Sequence, residues 1–145
     1  MAVHIRIQIL LGFLLVVLGV LGFKALQQGW FAARPQLELN DQPTLLFFTL
    51  SDGCDCQMRV IRKAATQVAF WEPAESLRIN VMRINFDERL DLARYFEVER
   101  APALVLVDYN GVVFWMQDEA KSDGEPFDMA EVEAQIADML TADGR

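Results

Sequence analysis

The chain has 145 residues, 53% of them hydrophobic, a formal net charge of −8 at pH 7 and two cysteines. That length holds one domain of ordinary size plus an appendage. All twenty-one acidic residues lie beyond Phe23, and from Ala25 onward the net charge is −10. This argues against nucleic acid or an anionic lipid surface as a partner.

Between Arg6 and Lys24 lie seventeen uncharged residues, Ile7 to Phe23, rich in Leu, Val, Ile, Gly and Phe. A membrane-spanning helix takes about 17–25 such residues. Trp30 and Phe31 come next at a depth suited to the interface. A secretory leader has a shorter apolar core, about 7–15 residues, and ends in a small-x-small site. Phe23-Lys24-Ala25 and Phe31-Ala32-Ala33 both put Phe where a small residue is wanted, which leaves Val20-Leu21-Gly22 as the best candidate. The expectation is an uncleaved, single-pass membrane anchor over residues 1–24. Arg6 precedes it and Lys24 and Arg34 come after it, so flanking charge barely decides its orientation. An extracytoplasmic domain is expected, because N-terminal anchors usually deliver the domain behind them across the membrane and an oxidising compartment suits paired thiols. His4, the only histidine, reads as a polar residue flanking the span.

Residues 25–41 read as a linker, since Gly29, Arg34-Pro35 and Asn40-Asp41 break every periodicity. Within it, Gln36 to Leu39 has the pattern of a short edge strand. Residues 42–141 then read as one domain. Thr44 to Leu50 is a continuous apolar run of strand length, the pattern of a strand buried on both faces. A helix is predicted from Cys56 to Trp71, with Met58, Ile61, Ala65 and Val68 inward and Glu72-Pro73 as its stop. Leu77 to Asn85 alternates as a strand. Asp87 is placed to cap a helix through Phe96, with Leu90, Ala93 and Phe96 inward. Ala103 to Val107 is a second buried strand. Asp108-Tyr109-Asn110-Gly111 supplies a hairpin turn into Val112 to Gln117. Asp128 with Glu131 has capping-box spacing for a last helix, with Val132, Ile136, Met139 and Leu140 buried.

Both cysteines sit in Ser51-Asp52-Gly53-Cys54-Asp55-Cys56, where the first strand gives way to the first helix. Paired thiols at such a junction point to redox or metal chemistry. Residues two apart on a helix are rotated by about 200° from each other. Cys54 is therefore expected in the loop, with only Cys56 in the first turn, and Gly53 permits the bend. A disulfide across one intervening residue is expected to be strained, and strained disulfides are the more easily reduced ones. The positive end of the helix favours a thiolate, while Asp52 and Asp55 oppose it and Arg59 and Arg62 offset part of that.

The element order, the dithiol at the first strand-to-helix junction and Ala101-Pro102 just before a buried strand together resemble the thioredoxin family. The likeness runs from about Gln42 to Leu140. It takes in Cys56-Gln57-Met58, Ile84-Asn85-Phe86-Asp87, Ala93 to Val98, Ala101 to Leu104 and the Asp108 to Gly111 hairpin. It implies a thioredoxin-like three-layer α/β/α fold with a central mixed sheet, behind the N-terminal transmembrane helix. It also implies a cis Pro102 facing the dithiol. Two features depart from the family pattern. One residue, Asp55, separates the cysteines instead of two, and Gly53 stands where Trp is usual. Phe48 stands near where many thioredoxins carry a buried acid.

Thiol–disulfide exchange is the function expected. Cys54 would attack and Cys56 resolve. Ala101, Pro102 and Gly53 would contact the substrate, and Asp52 and Asp55 would modulate the thiols. The partners are protein dithiols or disulfides and a partner electron donor or acceptor, and no organic cofactor is implied. Two other readings stay open at this point. Two soft thiolates, with Met58 nearby, suit Cu(I), although they cannot complete a structural zinc shell. A non-catalytic thioredoxin-like module that binds partners is the other.

Overall fold

Thr44–Thr49 forms strand β1, and all six of its residues are buried. The structure, a computed structural model, describes residues 12, 14–20, 22, 24, 37, 39, 42–71 and 77–142. The chain divides into two compact units, Met1–Arg34 and Pro35–Arg145. In the first, residues 14–20 are helical, and Leu14, Leu15, Val16, Leu18 and Val20 are exposed. Among the described residues no helix is long and apolar enough to cross a membrane. Of the expected span from Ile7 to Phe23, residues 12, 14–20 and 22 are described, whereas His4 and all of the linker but Leu37 and Leu39 lie outside the described residues.

In the second unit the elements after β1 are α1 (Asp55–Ala69), β2 (Asn80–Asn85), α2 (Leu90–Tyr95), β3 (Ala103–Val107), β4 (Val113–Gln117) and α3 (Met129–Ala142). The sheet order is β2-β1-β3-β4. β1 runs parallel to β2, with Thr44 opposite Asn80, and antiparallel to β3, with Thr44 opposite Val107. β3 and β4 are antiparallel, with an irregularity between Leu106 and Val107.

Side chains alternate across a strand, so β1 and β3 each feed two cores. Leu45, Phe47, Leu104 and Leu106 pack with Ala64 of α1 and Val132, Ile136 and Met139 of α3. Leu46, Phe48, Val105 and Val107 pack with Leu92 and Ala93 of α2, and Leu37 and Leu39 lean on the same cluster. The result is helix, mixed sheet, helix. An edge-to-face ring pair closes each side, Phe47 with Phe127 at 5.9 Å and Phe48 with Phe96 at 6.5 Å. Gln67 ties α1 to the start of α3 by donating to the Phe127 carbonyl and accepting from its amide.

Several elements differ from expectation, each for a local reason. Leu37 and Leu39 form no strand; the Leu39 amide bonds back to the Leu37 carbonyl at 3.0 Å and both side chains lie on the core. β2 begins only at Asn80, because Arg78 turns at φ 53°. Asp87 does not cap α2. Its amide instead bonds the Asn85 side chain, and the helix starts three residues later with Leu92 buried and Leu90 exposed. In the hairpin only Gly111 takes a positive φ, +76°, and the Asp108 carboxylate receives the Asn110 and Val112 amides. The expected cap at Asp128 is present, its carboxylate accepting from the Glu131 amide at 3.2 Å.

α2 ends in a Schellman turn: the Val98 amide reaches the Ala93 carbonyl at 2.8 Å and Glu97 sits at φ 59°. A side chain in that left-handed conformation is strained, and glycine is not. Glu97→Gly should therefore stabilise the domain by about 1 kcal/mol, part of the relief being offset by unfolded-state entropy. Urea denaturation, reading the midpoint at unchanged slope, checks this.

Candidate functional site

Because β1 and β2 are parallel and β3 is antiparallel to β1, the ends of β1 and β2 and the start of β3 meet at one pole. Three connections converge there: Leu50 to Cys54, Phe86 to Arg89, and Arg100 to Pro102. Beneath them Leu50, Ile61 and Ala101 are buried together, with Met58 and Phe86 packed alongside. Met58 is thus part of the apolar cushion under the thiol loop. The Ala101–Pro102 peptide bond is cis.

Asn85, the last residue of β2, holds two of these connections together. Its amide nitrogen donates to the Ser51 hydroxyl and, at 2.9 Å, to the Glu88 carboxylate. Its carbonyl oxygen accepts from the Asp87 amide at 3.1 Å, an Asx turn. Sequence reading did not single out Asn85. The available signal was an Asn at a strand end two residues before a turn amide, which is a weak one. Asp52, next to Ser51, accepts from the Gly53 amide at 2.8 Å.

Cys54 occupies the N-cap of α1 with extended dihedrals, φ −67° and ψ 156°, and its carbonyl takes the first helical bond from the Met58 amide. Cys56 is in the first turn. This offset overcomes the unfavourable rotation between residues two apart: the sulfurs lie 2.7 Å from each other, both thiols free and exposed. Gly53 contributes space here and not a left-handed backbone. A Cβ at that position would meet Gln57 Oε1 at 2.8 Å and Met58 Sδ at 3.5 Å.

The two thiols are driven apart in acidity. The hydrogen bond between the two sulfurs lowers the Cys54 pKa, and the Gln57 amide adds to the effect. The same bond, with the negative charge on Cys54, raises Cys56. No side-chain cap bond of full geometry forms at Cys54, so the amides act on its sulfur as nearby dipoles, as a helix N-terminus does. The pair is thereby made unequal, Cys54 the stronger acid and Cys56 the weaker.

Ala101 and Pro102 share a cleft of about 350 Å³ with Gln57 and Val60 of α1. A second cleft, about 300 Å³, joins Ala101 to Leu50, Asp52 and Phe86. Among the described residues no group of three or more His, Cys, Asp or Glu gathers that could hold a metal.

No family model and no curated protein matches the chain. Among solved structures it is similar to thioredoxin 1 from Thermosipho africanus, at 18% identity and a TM-score of 0.47 over 70% of this chain and 99% of that one. Thioredoxin O2 from Arabidopsis thaliana is 13% identical, with a TM-score of 0.46 over 68% of this chain and 76% of that one. Thioredoxin-2 of the malaria parasite is 20% identical, with a TM-score of 0.43 over 67% and 82%. These likenesses are distant, and the fold rests on the sheet order, register and helix placement of the chain itself. That architecture is thioredoxin-like.

The opposite shifts of the two thiols have a direct readout. Alkylation of Cys54 should rise with pH through a midpoint below the ordinary thiol range, and Cys56→Ala should move that midpoint up. At pH 7 the variant's Cys54 should then react more slowly than in the parent, as followed by mass spectrometry of the modified peptide. Asn85→Ala should cost about 1 kcal/mol and speed hydrogen exchange of the Gly53 and Cys54 amides, leaving β3 protected.

Proposed function

We propose that the domain performs thiol–disulfide exchange on protein substrates, as a thioredoxin-like oxidoreductase or isomerase tethered to a membrane. The observation that carries this reading is the pair of exposed, unequal thiols in contact at a helix N-terminus. The tether rests on the uncharged run from Ile7 to Phe23, and the domain is assigned to the extracytoplasmic side.

The Cys54 thiolate attacks one sulfur of a substrate disulfide. A new S–S bond forms between Cys54 and the substrate, the substrate bond breaks, and the departing sulfur leaves as a thiolate that takes up a proton. Cys56 then gives up its proton and attacks Cys54, which releases the second substrate thiol. Two electrons have passed to the substrate, and Cys54 and Cys56 are joined. A partner dithiol restores the pair. Run in reverse, the same steps oxidise a substrate; stopped at the mixed disulfide and returned, they isomerise one. The backbone of Arg100 and Ala101 lies outside the β3 ladder, which begins at Ala103, and is free to align an extended substrate beside the thiols.

Cys56→Ser should trap covalent adducts with substrate proteins that reductant dissolves, and Cys54→Ser should trap none. Adducts surviving on Cys54→Ser would reverse the assignment of attacking and resolving thiols. Absence of adducts on both would remove the exchange reading.

A further inference from the structure

We infer that the substrate segment carrying the target cysteine is cationic, rich in lysine or arginine; this rests on the exchange reading above. Ala101 and Gln57 line two clefts beside the thiol loop, and a peptide that reaches Cys54 alongside Ala101 crosses them. Asp52, Asp87 and Glu99 line one, and Asp118 and Glu119 line the other. Arg100, shared by both clefts, is the only cation among their lining residues, and Glu119 already pairs with it. Four carboxylates are thus left unpaired with a lining cation. On an open surface such a group would be an ordinary solvated face. Here it lines the approach to a nucleophile, where opposite charge raises the encounter rate and like charge suppresses it. The departing substrate thiolate gains from the same arrangement when a lysine or arginine of its own stands beside it, since the clefts supply no free cation to receive it.

The test uses the purified, reduced full-length chain and three synthetic peptides that share one disulfide-bonded core and differ only in Lys, Gln or Glu flanks. The rate of disulfide transfer to Cys54 should be about tenfold higher for the Lys peptide than for the Gln peptide at low ionic strength. The Glu peptide should be slowest, and the differences should shrink as salt screens the groove. The Lys-to-Gln rate ratio should fall severalfold in Asp118→Asn combined with Glu99→Gln. It should hold in Asp138→Asn, which removes a charge from α3 beside Met139, whose cleft is shared with Pro43 and Tyr109 at the opposite pole. Equal rates for the three peptides would overturn the charge selectivity and leave exchange standing. An equal fall in the ratio for Asp138→Asn would assign the preference to overall charge and overturn the groove. No reaction with any peptide would remove the exchange reading and this inference with it.

Discussion

The central strand is held on every side. β1 is paired along both edges, to β2 and to β3, and its two faces feed separate cores under separate helices. Such a strand can neither rotate nor shift without breaking ladder bonds and exposing rings such as Phe47 and Phe48. The loop that leaves it at Leu50 therefore starts from a fixed point and is pinned again by Asn85 through Ser51. Helix α1 is tied at its far half by Gln67 to the backbone of Phe127. Five residues, Leu50 to Cys54, lie between those two rigid elements, and they set where the first sulfur points.

The chemistry comes from placing one cysteine just off the helix and the next just on it. A cap residue with an acceptor side chain ordinarily satisfies the first free amides of a helix; here a sulfur holds that place, hydrogen-bonded to its partner sulfur and not, in full geometry, to the amides. β1 supplies no acid behind the sulfurs; Phe48 on it is fully buried. The pair is asymmetric by construction. Cys54, at the cap, is the more acidic of the two and Cys56, in the first turn, the less.

Hydrophobic periodicity was enough to read the strands, because β1 and β3 are uninterrupted apolar runs and nothing else in a small α/β domain accepts such runs. The junction position of the cysteines was legible for the same reason. Helix α2 was not. Leu90 and Leu92 compete for the inward face, and the choice is made by where Asn85 lets the turn end, a contact between side chain and backbone that no apolar pattern encodes. The role of Asp108 in the hairpin was hidden likewise, since Asn110-Gly111 looks sufficient alone, yet only Gly111 uses the left-handed region. Gly53 shows another case: it was singled out for a bend, whereas its backbone is not left-handed and a Cβ there would meet the end of the Gln57 side chain.

One consequence of the strand directions concerns distance. Pro43 leads into β1 at the end where Tyr109 and the hairpin lie, and the sulfurs emerge at the other end, six residues later along a fully extended path. At the rise of a β-strand that is about 20 Å. The entry of the chain into β1 and the exit that carries the sulfurs thus stand at opposite poles of the domain.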